Sequence, residues 1–219
     1  MEELGDTLDL IVIGGLFGER KRAGGGHAWT DHISVFLLGV IRHVDRDDPS
    51  NSIVVPFARV GTGYSMEQLE ALRQRLKPLW KLYDVRTPPT LFAQWAPKMS
   101  DRPDAYISDI SKSVILEVKA GELVVSDAYP TFYTLRFPRV VRVRYDKDWH
   151  EGMNQDQLNQ LISNFNDVRR MNKFKHGLEV GGDSSNEDNS DEDGGSFQEF
   201  KGARKKKKVA TKNDGQPRR

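Results

Sequence analysis

No cysteine occurs among the 219 residues. That removes disulfide frameworks, cysteine-ligated zinc, iron–sulfur clusters and thiol nucleophiles, and leaves carboxylates, amines, guanidiniums, hydroxyls and histidine to carry any chemistry. Long apolar runs are also lacking. The longest mainly apolar segments, Leu8 to Ile13 and Val35 to Ile41, fall far short of the roughly 20 residues a spanning helix needs, so no membrane span or membrane partner is expected. Acidic Glu2, Glu3 and Asp6 follow Met1 where a secretory signal would carry a basic region and an apolar stretch, so an intracellular protein is expected. Histidine is scarce as well. His27, His32, His43, His150 and His176 never recur at a spacing of three or four, and no metal site is expected. Gly14, Gly15 and Gly18 lack the lysine and hydroxyl of a phosphate-cradling loop and miss the dinucleotide fingerprint, so they read as a turn.

What is present divides into two parts. Residues 166–219 hold 13 Lys or Arg against 10 Asp or Glu, leaving 20 basic and 22 acidic residues before them, so the net charge of +1 hides a slightly acidic body and a basic tail. Within the tail an acidic block, Asp183 to Asp193, precedes the unbroken basic run Arg204 to Lys208, with few large apolar residues. Such a composition cannot offset its own ordering entropy, and 166–219 is expected to be disordered. The basic run reads as a nuclear-import signal or a DNA-binding arm, which places the protein in the nucleus. Residues 1–165 form the expected domain.

Inside that domain Leu8 to Ile13, Ile33 to Ile41, Ile53 to Val60, Val114 to Lys119 and Val140 to Tyr145 are short β-branched or aliphatic runs bounded by turn residues. They suggest a β-barrel or sandwich. Ser65 with Gln68 forms a capping box ahead of a helical stripe of Leu69, Leu72, Leu76, Leu79 and Tyr83, which Pro78 shortens or kinks. Asn154 caps a second stripe of Leu158, Leu161, Ile162 and Phe165. Both stripes read as core. Two basic segments stand out as phosphate partners: the loop from Gly18 to Gly26 with Arg20, Lys21 and Arg22, and the stretch of Arg136, Arg139, Arg142, Arg144 and Lys147.

That stretch, Thr134 to Lys147, reads TLRFPRVVRVRYDK. It closely resembles motif VI of ATP-dependent DNA ligases, with the RxDK core at Arg144, Asp146 and Lys147. Leu8 to Gly15 is similar to the strand that follows the family's catalytic domain, Arg59-Val60-Gly61-Thr62-Gly63 leads into the Ser65 helix in the family's order, and Asp146 to Glu151 resembles the DNA ligase IV branch that serves non-homologous end joining. The resemblance implies a mainly β fold: an OB-fold Greek-key barrel with one long inserted helix and a C-terminal helix, ahead of the disordered tail. It also implies two jobs. In one, the barrel closes over a nucleotidyltransferase domain whose lysine attacks the α-phosphate of ATP with Mg2+, while Arg144 and Lys147 orient the leaving phosphates and Asp146 holds those cations in register. In the other, the barrel lies against nicked or broken duplex DNA, where Arg20, Lys21, Arg22, Arg136 and Arg139 meet backbone phosphates.

The family's adenylation motif KxDG is not found ahead of these segments. Lys212-Asn213-Asp214-Gly215 repeats its letters inside the expected disorder and reads as coincidence. The BRCT repeats through which ligase IV holds its scaffold partner are not found either, so a fragment or stand-alone barrel that does not adenylate by itself is expected. Two other readings stand beside this one. A non-enzymatic OB-fold binder of single strands would use Trp29, Phe36, Phe57 and Tyr64 as stacking platforms, although these sit among apolar residues and read as core. An mRNA capping guanylyltransferase shares RxDK but not the RFPR string.

Overall fold

In the computed structural model, residues 7–18, 33–92 and 95–179 are described. The five apolar runs all become strands: β1 (Leu8–Phe17), β2 (Ile33–His43), β3 (Ile53–Val60), β6 (Ile115–Lys119) and β9 (Arg139–Arg144). Four shorter ones join them, β4 (Trp80–Leu82), β5 (Ala105–Ile107), β7 (Glu122–Val125) and β8 (Tyr133–Arg136). Strands of three or four residues carry too little pattern to be read from sequence, because their order comes from the neighbours they pair with.

β1, β2 and β3 form an antiparallel meander; β6 returns to pair with the first half of β1, and β9 pairs with β6. The circuit closes where the Val140 N–H donates to the Thr62 carbonyl at 2.8 Å, joining β9 to the end of β3. Three strands in sequence, a fourth beside the first and a fifth between the fourth and third make the five-stranded Greek-key barrel of an OB-fold. β4 and β5 extend the sheet from the second half of β1, and β7–β8 is a hairpin inserted between β6 and β9.

β1 serves two sets of neighbours because it bends. Its register with β2 shifts between Val12 and Gly14, and at that point the Val12 carbonyl accepts the buried Ser113 hydroxyl. Gly14 and Gly15 therefore lie inside a strand, not in the expected turn. A Cβ on Gly15 would stand 2.7 Å from Ile33 and 3.0 Å from Trp80, so close packing at a sheet bend explains a glycine that looked like a turn signal.

Helix α1 (Met66–Leu76) starts as expected, with the Gln68 N–H donating to Ser65 Oγ and the Ser65 N–H to Gln68 Oε1. It ends at Leu76, short of the full stripe, because Pro78 stands in the first turn of a 3₁₀ segment, Lys77–Leu79, and cannot extend the α-helix. Leu69, Leu72 and Leu76 plug the barrel against Phe36, Phe57, Val60 and Leu116. The opposite faces of β1 and β2 are covered too, by Phe92, Trp95, Ile110, Tyr129 and Trp149. Burial on both faces is why these strands read as continuous apolar runs and not as an alternation. Helix α2 (Gln155–Glu179) begins at Asn154, whose side chain and backbone exchange hydrogen bonds with Gln157, and buries Leu158 completely. The boundary expected at residue 165 falls within this helix. No helix among the described residues is long and apolar enough to cross a membrane.

Candidate functional site

β9 holds basic groups at both ends. Arg139 opens it opposite Lys119, Arg144 closes it opposite Ile115, and five residue steps in a strand separate the two by roughly 17 Å. The chain thus displays basic groups at the two ends of one barrel strand.

At the far end, Arg144 and Lys147 converge. Arg144 forks onto Asp146, with Nε to Oδ1 at 2.9 Å and Nη2 to Oδ2 at 2.8 Å. Its remaining Nη1 reaches Asp9 Oδ2 at 3.2 Å and approaches Glu117 at 3.7 Å. Lys147 Nζ donates to the same Asp9 Oδ2 at 2.6 Å. Glu117 also carries Arg142, 3.1 Å away, and accepts the Thr7 hydroxyl. The hydrogen bonds from Arg144 hold the Asp146 carboxyl well below the usual carboxylate range, and in return raise the guanidinium further above its ordinary value. Both groups are therefore charged at any physiological pH. Three cations and three carboxylates balance, so the centre is preorganised for anions but neutral overall.

At the near end, Arg136 closes β8 and is exposed, with Nη1 on Glu122 Oε1 at 2.7 Å and its guanidinium 5.0 Å over the Phe137 ring. Arg139 is exposed beyond the Phe137-Pro138 corner. Phe137 adopts φ +53° with its side chain 70% exposed, and Phe132 at the other end of β8 has φ +56° and is 68% exposed. Left-handed backbone at an aromatic residue costs about 1 kcal/mol or more, and such outliers concentrate at binding surfaces. The Thr62 hydroxyl donates to the Pro138 carbonyl and fixes this corner to β3.

Of the sequence candidates, the structure brings Arg144, Asp146 and Lys147 into one cluster and sets Arg136 and Arg139 apart from them. Arg20, Lys21 and Arg22 lie outside the described residues, as do Trp29 and the tail. Asp9 and Glu117 escaped the sequence reading, since a lone acid in an apolar strand and a glutamate in an alternating one are ordinary; only their pairing with residues far along the chain marks them. The stacking platforms fail on burial: Phe36 and Phe57 have no exposed surface. Tyr64 packs edge-on against Phe36 and donates its hydroxyl to the Ser34 carbonyl, and burial pushes its pKa up to about 12. Among the described residues no group of three His, Cys, Asp or Glu side chains is placed to hold a metal ion.

Residues 29–147 match the family described as "ATP dependent DNA ligase C terminal region". Similar curated proteins include "DNA ligase 4" of Dictyostelium discoideum, 37% identical over 169 residues that cover 73% of this chain and 15% of that protein, and "DNA ligase 4" of Homo sapiens, 36% identical over 158 residues that cover 71% and 16%. The chain thus spans about a sixth of the length of the curated relatives it matches. Among solved structures, the ligase domain from M. tuberculosis LigD aligns over 68% of this chain and 38% of its own, with 21% identity and a TM-score of 0.44.

Proposed function

The chain belongs to the ATP-dependent DNA ligases, as their C-terminal region, and from that premise we propose that it is the OB-fold part of a nuclear, DNA ligase 4-type enzyme of end joining. The observation that carries the reading is the separation of two cationic centres along β9. Arg144 and Lys147 are the pair that holds the β- and γ-phosphates of ATP when the barrel closes on a nucleotidyltransferase domain, and their shared carboxylate partner fits a site made for phosphate oxygens. ATP supplies the adenylate and the leaving pyrophosphate there; Mg2+ belongs to the nucleotidyltransferase side. Asp146 keeps the guanidinium aimed through its two-point contact. Arg136 and Arg139 form the other face, which meets the backbone of nicked or broken duplex without reading sequence, and Arg20, Lys21 and Arg22, outside the described residues, are assigned to the same duplex by the family resemblance. Scaffold proteins of end joining are the expected protein partners, and the run Arg204 to Lys208 supports nuclear placement.

The competing reading, a single-strand binder, draws support from the exposed Phe132 and Phe137 rings. Binding of the chain to nicked duplex, intact duplex and single strand at two salt concentrations separates the two. Nicked duplex is expected to bind tightest, with Arg136→Ala weakening it about fivefold or more and lowering the salt dependence, and Lys147→Ala leaving it unchanged. A preference for single strands, indifferent to both changes, would replace the ligase reading with the single-strand one.

A further inference from the structure

Resting on the assignment of Arg144 and Lys147 to phosphate, we propose that Asp9 is an internal stand-in for a phosphate group: its carboxylate holds the two cations together and is displaced when polyphosphate arrives, so that Asp9 sets how tightly the pair takes its ligand. Two basic side chains converge on a single oxygen, Asp9 Oδ2, with Lys147 Nζ at 2.6 Å and Arg144 Nη1 at 3.2 Å. That is the arrangement a phosphate oxygen would complete.

The two acids that Arg144 meets play different parts. Asp146 takes the guanidinium edge through Nε and Nη2 and leaves Nη1 pointing at Asp9, so Asp146 anchors while Asp9 occupies the position open to exchange. Asp9 cannot follow the cations if they turn away. It sits on β1 between the buried Leu8 and Leu10, and its carbonyl accepts the Met153 N–H at 2.7 Å, so its backbone belongs to the barrel wall. Lys147, by contrast, stands in the turn after β9 on a flexible four-carbon stem with 29% of its side chain exposed, against 20% for Asp9. Charge gives the reason for such a device. With Asp9 in place the cluster of Arg142, Arg144 and Lys147 is balanced by Asp9, Glu117 and Asp146, which spares the barrel an uncompensated cationic patch. A polyphosphate brings its own charge and takes over the carboxylate's role. Asp9 is thus a positioning residue that tunes the site through Arg144 and Lys147.

The test is calorimetric titration of the full chain with inorganic pyrophosphate at low ionic strength, for the wild type, Asp9→Asn, Lys147→Ala and the double variant. Asp9→Asn is expected to bind about three- to tenfold tighter, and that gain should vanish when Lys147 is alanine. Unchanged or weaker binding by a folded Asp9→Asn protein overturns the proposal. Should that variant fail to fold, NMR of the wild type decides: pyrophosphate is expected to shift the Asp9 carboxyl carbon and the Lys147 Nζ resonance together, and a shift at Lys147 without one at Asp9 overturns the stand-in. Lys147-dependent binding that ignores Asp9 sinks this inference alone. Pyrophosphate binding in no protein, or binding indifferent to Lys147, sinks the phosphate assignment on which it rests as well.

Discussion

Gly63 shows how much of this barrel hangs on one residue. Its φ of +100° lies where L side chains are strained, and an added Cβ would stand 2.3 Å from the Val140 carbonyl oxygen and 2.5 Å from its nitrogen. Both atoms are backbone of the strand that closes the circuit, so neither can swing aside as a side-chain tip would. Gly63→Ala is expected to lower the unfolding free energy by about 3 kcal/mol in urea denaturation, through strain and a loosened Thr62–Val140 contact. A loss below about 0.5 kcal/mol would mean that the closure yields freely. Gly15 is a different case: it meets side chains, Ile33 and Trp80, and owes its identity to crowding alone. A sequence reading sees the same letter in both places. The same holds for acids, since Asp9 and Glu117 look alike in composition yet only Asp9 bridges the two site cations.

At the scale of elements, local chemistry and tertiary pairing divide the work. The start of α1 is a local matter, set by Ser65 and Gln68 within one turn, and its end is set by Pro78. Ser65→Ala is therefore expected to cost about 1 kcal/mol by chemical denaturation, with the Gln68 N–H losing its side-chain acceptor while the backbone bond to Gln68 Oε1 and the leucine stripe are undisturbed. If the loss approaches the 2–5 kcal/mol of a core leucine truncation, the cap must be holding more than the helix start. β9 likewise was legible, because Val140 to Tyr145 is a β-branched run bounded by turn residues. β7 and β8 were not: Leu123 and Leu135 are their only buried residues, and the hairpin owes its order to pairing in register and to Phe132, which leads into β8 with a positive φ and accepts the Ser126 N–H. The span that seemed one helix to Tyr83 contains a helix, a 3₁₀ turn and β4, since periodicity continues through Leu79 for reasons of burial rather than of backbone.

For the whole molecule, the distribution of contacts predicts where the folded unit stops. Leu158 is fully buried, Ile162 and Phe165 pack on the barrel core, and Asn166 hydrogen-bonds the Tyr133 hydroxyl. Truncation after Glu179 is expected to leave the thermal midpoint of the full chain unchanged within about 1 °C, whereas truncation after Asn154 should lower stability by about 2 kcal/mol or more through loss of the Leu158 side chain and its neighbours. A large drop on removing 180–219 would move the domain boundary into the tail. The same architecture explains the two-sided reading of the site. A barrel strand of six residues, β9, holds Arg144 at one end and Arg139 at the other, so the two cationic groups assigned above to phosphate and to duplex are kept apart by the barrel wall.

The family, the barrel class and the grouping of Arg144, Asp146 and Lys147 were all legible in sequence, because each rests on residues near one another in the chain and on apolar runs whose burial is unavoidable. The tertiary structure alone decided which carboxylate those cations meet, which glycines are turns and which are close approaches, and which aromatics face solvent. Each of those depends on segments separated by tens to more than a hundred residues, as Asp9 and Lys147 are, and such pairings leave no periodic trace in a single chain. Burial then excluded Phe36 and Phe57 from any stacking role and left Phe132 and Phe137 facing solvent at the two ends of β8, a choice made by the closing of the barrel and the backbone at either end of one strand.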